Sequence, residues 1–292
     1  MYGAQIAVTL RLRDPDSFAM ALAHWLCSLF LILGHSARSH LPKVKVACVG
    51  DSLTAGFPFD SPRGNDSSVS GYPWHLKQLL RETMNGVYDI RNFGKGETTI
   101  VTSSKSVWSP WYNETLQEAY AFEPDRVFLM FGANDVKENR LDKFGTEFEK
   151  LFSSLVASFQ DLGSRPEVFV MIPPPMYDDN LYAGRAGGMN KKVYNEQLPG
   201  KLRSIAERRG VHVVDVHTCF LKHESCHDVT QNCCDWDTQK PPWRYGVHTS
   251  EEIEEDPCLS HDDAIHPNDA GYKSIALIVK RALLGELEMC EA

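Results

Sequence analysis

The sequence predicts an α/β fold built on a five-stranded parallel sheet with helices on both faces. Three observations carry this. Five short apolar runs recur along the chain, and three of them are nearly continuous and β-branched or aromatic, as strands covered on both faces are. Segments with helical apolar spacing alternate with these runs, and strand–helix alternation is the pattern of a parallel sheet. The chain has 292 residues, 42% hydrophobic and 24% charged, which is an ordinary globular mixture long enough to bury a full core. This composition excludes a wholly disordered chain and a polytopic membrane protein. The net charge of −9 and the lack of any Lys/Arg-rich run exclude a protein that binds a nucleic-acid backbone.

In chain order, the first feature is the uncharged 17-residue apolar run Phe18 to Gly34. It is short for a spanning helix and suits the core of a secretory signal, with a small-x-small cleavage pattern ending at Ser36 or a second site after Ser39. Met20 is a second candidate start. Residues 1–36 are therefore read as a signal peptide, with an uncleaved signal anchor or a buried helix as the alternatives. Membrane contact is expected only if this segment stays attached, and the rest of the chain is expected in the secretory lumen or outside the cell.

The domain proper is expected over residues 43–292. Its strand runs are Val44–Val49, Val87–Phe93, Val127–Phe131, Val168–Ile172 and Val211–Val216. Between and after them lie four helical stripes. Tyr72, Leu76, Leu79, Leu80 and Met84 form the first, and Phe144, Phe148, Leu151, Phe152, Leu155 and Phe159 a longer second. Val193, Leu198, Leu202, Ile205 and Ala206 form the third. Ile275, Ile278, Val279, Ala282 and Leu283 form the last, with Asn268 and Asp269 suited to its start. The stretch from about Cys219 to Asp262 breaks the alternation and reads as a cysteine-rich insertion.

Ligands in such sheets bind outside the carboxyl ends of the strands, so each strand end is a candidate site. The first strand run leads into Gly50-Asp51-Ser52-Leu53, where a tight exit exposes a serine at the rim. No Gly-Lys-Ser/Thr follows, so this is not a phosphate-binding loop. The second ends at Asn92-Phe93-Gly94-Lys95-Gly96, where glycines free backbone N–H groups to face a ligand. The third ends at Gly132-Ala133-Asn134-Asp135, with an amide able to donate to a developing oxyanion. Asp263-Ala264-Ile265-His266-Pro267 sets an acid three residues before a histidine, close enough to fix its tautomer. Asp51 is read as shaping the turn beside Ser52.

In order and spacing these four blocks resemble the SGNH (GDSL-type) hydrolase family, from about Lys43 to Leu284. The resemblance implies a flavodoxin-like three-layer α/β/α sandwich and a serine esterase. It implies Ser52 as nucleophile, His266 as base and Asp263 as its orienter. The oxyanion hole would comprise the N–H of Ser52, the N–H of Gly94 and the side chain of Asn134, with no metal or cofactor. Tyr72-Pro73, Trp108–Trp111, the Phe131–Lys137 stretch and Pro173-Pro174-Pro175-Met176-Tyr177 resemble the carbohydrate-esterase branch, including acetylxylan esterase-like and sialate O-acetylesterase-like members. That branch implies acetylated carbohydrate as the ester substrate. Lys95, Glu97 and the cysteine-rich insertion depart from its pattern. The rival readings are a lipid esterase of the same family and a secreted glycan-binding protein with a decayed site. Trp108, Trp111, Trp236, Trp243 and Tyr245 fall in predicted loops, where they suit either a sugar platform or packing.

Of the eight cysteines, Cys27 lies in the leader and Cys48 in the first strand, where it reads as a buried free thiol. Cys219, Cys226, Cys233, Cys234, Cys258 and Cys290 form an even cluster behind a signal-like leader, which reads as disulfides of undetermined pairing. Zinc is the rival, with His223 and His227 nearby, but the spacing matches no C-x2-C pair. Sequons at Asn65 and Asn113 allow glycosylation.

Overall fold

A computed structural model describes residues 42–56, 71–101, 114–176, 188–221, 259–260, 263–267 and 269–286. The leader, the loop tryptophans and Tyr245, the sequon asparagines and most of the cysteine-rich stretch lie outside them. The body of the chain runs from Lys43 to Ala292.

Five strands form one parallel sheet: β1 (Val44–Gly50), β2 (Tyr88–Gly94), β3 (Arg126–Met130), β4 (Glu167–Ile172) and β5 (His212–Asp215). Their spatial order is β2-β1-β3-β4-β5. Val46, Ala47, Cys48, Val127, Phe128, Leu129, Val170, Met171 and Ile172 are fully buried, which explains why these strands read as continuous apolar runs. Phe128 and Phe169 stack across β3 and β4 with centroids 4.5 Å apart.

The helices sort onto two faces by right-handed crossover. α1 (Ser52–Ala55) and α2 (Gly71–Thr83) lie between β1 and β2, and α3 (Glu114–Ala121) between β2 and β3. α4 (Leu141–Thr146) and α5 (Phe148–Gln160) precede β4, and α6 (Leu198–Arg209) precedes β5. α7 (Val216–Leu221) follows β5 directly. A two-stranded antiparallel hairpin, β6 (Leu259–Ser260) and β7 (Asp263–Pro267), then leads to α8 (Asp269–Leu283). Because the step from β1 to β2 runs opposite to every later step, α2 lies on one face and α3, α5 and α6 on the other. Packing agrees with this division. α8 lies along α2, α5 packs on α6, and Tyr120 of α3 meets Phe159 of α5 at 4.7 Å. Among the described residues no helix is long and apolar enough to cross a membrane.

Several element boundaries differ from the sequence reading. The long phenylalanine stripe is two helices that meet at Glu147, which has φ −113. Phe144, Phe148 and Phe152 still share one core, so the apolar spacing survives the break. Val87 is exposed in the turn before β2, and Val216 begins α7 instead of ending β5. Cys219 is buried in α7, and β6 falls within the expected insertion. Cys48 is a free, buried thiol, and burial pushes its pKa up to about 12.

Candidate active site

β1 lies between β2 and β3, and the chain leaves it first toward one neighbour and then returns to the other. That reversal opens a crevice at the carboxyl end of β1. The strand ends are level there: Gly50 pairs with Gly94 on one side and Met130 on the other. Ser52, Gly96 and Gly132 each lie just beyond this line.

Ser52 opens α1. Asp51 caps the turn, its Oδ1 accepting the Leu53 N–H at 3.0 Å, and Gly56 closes it in the left-handed region with φ 99. The turn packs so closely that side chains are excluded around it. A Cβ on Gly94 would stand 2.1 Å from Ala55 N, and one on Gly50 would stand 2.1 Å from Thr54 Oγ1 and 2.5 Å from Met130 O. Glycine at both positions lets the Ser52 turn sit directly on the ends of β1 and β2.

His266 arrives from β7, 214 residues away in sequence, and its Nε2 lies 2.8 Å from Ser52 Oγ. The histidine is buried, as is the preceding Ile265, which anchors β7 in the core. Asp263 starts the same strand, and its side chain lies outside the described residues.

Asn134 begins a single 3₁₀ turn after Gly132, whose φ of +118 bends the chain as it leaves β3. The Asn134 side chain is buried, and one of its two Nδ2 hydrogens goes to Thr98 O at 3.2 Å. The second has no acceptor among the described residues. Arg140 Nη1 donates to the Asn134 carbonyl at 2.8 Å, fixing the turn from outside.

Gly94 departs from the sequence expectation. Its N–H donates to Asn92 Oδ1 at 2.9 Å, so that hydrogen is committed within β2. Lys95 N–H is also committed, to Gly50 O at 3.0 Å. Gly96 comes next, in open space and beside the same rim. The Gly-x-Gly spacing that distinguishes the two glycines was visible in the sequence; which N–H is occupied was not.

Two buried carboxyls underlie these groups. Asp135 accepts the N–H groups of Ile100 (3.1 Å) and Val101 (2.8 Å), tying the loop after β2 to the turn after β3. Burial raises its pKa to about 6 even so. Asp51 is raised further, to about 7, chiefly by burial, with the Leu53 N–H and His266 opposing the shift. Lys137 stands near Asp51 and Glu97, and burial lowers its pKa. On the far side, Asn195 grips the main chain of Met176 through both its N–H and its carbonyl (2.9 and 2.7 Å). Tyr194 donates to Pro174 O at 3.0 Å. These clamps hold the proline run beyond β4, and nothing in the local sequence marked Tyr194 or Asn195.

The geometry has relatives. The acetylxylan esterase of Xylanibacter ruminicola is 23% identical over 258 residues, an alignment covering 82% of this chain and 43% of that protein. The chain thus spans less than half the length of that relative. Among solved structures, the native aryl esterase of M. smegmatis superposes with a TM-score of 0.54 at 19% identity, covering 84% of this chain and all of that one. An acetyl xylan esterase from Geobacillus stearothermophilus superposes with a TM-score of 0.50 at 20% identity, covering 85% of this chain and 96% of the other. At such identities these structures share the fold. The model of the GDSL-like lipase/acylhydrolase family matches residues 48–274, from the end of β1 into α8. With that match over most of its length, the chain belongs to this family of SGNH carboxylic ester hydrolases.

Proposed function

We propose that the protein hydrolyses short-chain esters, acetyl above all, on carbohydrates, using Ser52 as nucleophile and His266 as general base. The reading is carried by the 2.8 Å contact between Ser52 Oγ and His266 Nε2 at the crevice beyond β1. His266 accepts the Ser52 proton as Oγ attacks the ester carbonyl, with Asp263 steadying the imidazolium. Ser52 N–H and the second Asn134 Nδ2 hydrogen receive the oxyanion. The third donor is read as Gly96 N–H in place of Gly94, whose hydrogen already serves Asn92. The tetrahedral intermediate collapses, the C–O bond to the sugar breaks, and His266 returns the proton to the leaving alcohol. Water then attacks the acyl-enzyme along the same route, releasing acetate and restoring Ser52.

Acetylated carbohydrate is the substrate class supported by the acetylxylan esterase relatives. The leader and the cysteine cluster support a secreted enzyme with oxidised cysteines. Ser52→Ala is expected to lower kcat by at least about 10⁴-fold without loss of folding. For the wild type, kcat/KM on p-nitrophenyl esters should fall from C2 to C8, and acetylated xylan should be deacetylated. A profile rising toward C8–C12 moves the protein to the lipid esterases, because each buried CH₂ contributes about 0.8 kcal/mol only where a groove receives it. Full turnover by Ser52→Ala overturns the assignment of the nucleophile.

A further inference from the structure

We propose that His75 and Asp269 form a latch that positions His266 against Ser52, an inference that rests on the esterase reading and deepens it. The need for such a device follows from where His266 sits. Ser52 leaves β1, an inner strand of the five-stranded sheet, whereas His266 lies on β7, outside that sheet. The described partner of β7 is the two-residue β6, with an irregular register between them. A hairpin this short has little stability of its own.

Three residues beyond His266, Asp269 begins α8. Its Oδ1 lies 3.0 Å from Nε2 of His75, on α2. The carboxylate only accepts, so His75 Nε2 carries the hydrogen. The His75 ring is buried, with Trp74 edge-on at 4.8 Å, so its direction is set by packing. The Asp269 side chain, in contrast, is 75% exposed. The fixed partner is therefore the histidine, and the chain it restrains is the start of α8, three residues beyond His266. Burial lowers the His75 pKa against the pull of Asp269, which keeps the ring a neutral donor.

The same helix also holds the nucleophile. Gly71, at the start of α2 with φ +69, meets α1 so closely that a Cβ there would stand 2.8 Å from Gly56 Cα and 3.0 Å from Thr54 O. α2 thus touches the Ser52 turn at its first residue and the His266 turn one helical turn later, through His75. Both reacting groups are referenced to one rigid element. His75 is a positioning residue: its hydrogen bond goes to Asp269, and it acts on His266 through that carboxylate.

The test uses the full chain and four variants. His75→Phe keeps the ring and removes the donor, His75→Gln keeps an amide donor at a similar reach, and Asp269→Ala removes the acceptor at an exposed site where folding is safe. The fourth combines His75→Phe with Asp269→Ala. Misplacement by about 1 Å costs on the order of 100-fold, so kcat on p-nitrophenyl acetate should fall about 10- to 100-fold in His75→Phe and Asp269→Ala, with KM within about twofold. The double variant should lose no more than the worse single one, and His75→Gln should recover most of the rate. Hydrogen–deuterium exchange should rise across residues 263–267 in His75→Phe and Asp269→Ala while the α5 and β4 peptides stay protected. Wild-type kcat and wild-type exchange in Asp269→Ala overturn the latch, as do losses that multiply in the double variant. If Ser52→Ala retains full turnover, the assignment of the nucleophile fails instead, and exchange at 263–267 alone decides the latch.

Discussion

The proposed nucleophile and base of this site are held by different means. Ser52 stands mainly on backbone packed against backbone: Gly94 meets Ala55 N and Thr54 C of the α1 turn, and Gly71 meets Gly56 Cα, at distances no Cβ tolerates, while Gly50 closes on the Thr54 side chain and on Met130 O of β3. His266 stands on a short hairpin outside the main sheet, held by the burial of Ile265 and by side-chain contacts around the start of α8. Backbone contacts of the first kind cannot be relaxed a little, so damage there should remove the fold. Side-chain contacts of the second kind can be lost one at a time, so damage there should grade the rate. The largest expected effect therefore lies on the nucleophile side. Gly94→Ala drives a methyl to 2.1 Å from Ala55 N and 2.6 Å from Thr54 C, both backbone atoms. It should cost about 3 kcal/mol or more and yield little soluble protein. Gly96→Ala, two residues on and in open space, should melt within about 0.5 kcal/mol of the wild type. Equal stability of the two variants in chemical denaturation would dissolve the contrast.

Much of this difference was legible from the sequence on one side and little on the other. β1, β3 and β4 announce themselves because both of their faces are buried, and their ends carry Ser52 and Asn134 where the topology demands. The elements around the base are weaker signals. β6 and β7 are too short for periodicity; on the opposite face, α3 is as faint, with only Leu116 and Ala119 as buried positions. The split of the phenylalanine stripe into α4 and α5 is invisible to apolar spacing, which continues in phase across Glu147. The partnership of His75 with Asp269 spans 194 residues and leaves no local trace. The same holds for Asp135, whose place beside Asn134 was plain while its two bonds to Ile100 and Val101 were not. Sequence spacing reports what lies on one element, and these contacts join separate elements.

Between the two extremes stands Asn134, a side chain on the rigid side. Asn134→Ala removes a proposed oxyanion donor, and the loss of one such donor costs on the order of 10²–10³ in kcat. It also frees Thr98 O, so the loop after β2 should loosen modestly. Because Asp135 still ties that loop to β3, the fold should persist, and KM should change far less than kcat. A loss confined to KM would mean that the amide serves substrate binding and not the oxyanion.

The smallest expected effect concerns the charge beneath Ser52. Asp51 is fully buried, and its Oδ2 has no hydrogen-bonding partner among the described residues, while its Oδ1 holds the turn through Leu53 N–H. Burial raises its pKa from 3.8 to about 7. A carboxyl that holds its proton more tightly when folded favours the folded state fully below pH 3.8, and that contribution is lost as pH rises through about 7. Asp51→Asn keeps an Oδ1 acceptor for Leu53 and cannot ionise. The variant should therefore gain on the wild type as pH rises from about 4 to 8, with the difference in Tm widening by at least about 2 °C, the response to roughly 1 kcal/mol in a domain of this size. His217, lowered by burial to about 4, loses stability in the opposite sense as pH falls, but it titrates in both proteins and drops out of the difference. Asp135 also titrates in both, save that it no longer meets a charge on Asp51. Turnover at pH 8 should stay within a few-fold of wild type, because the turn that presents Ser52 is intact. A Tm difference that stays flat across this range would show that Asp51 is ionised throughout, and the buried charge would then need a partner among the groups around it, with Lys137 the first to replace.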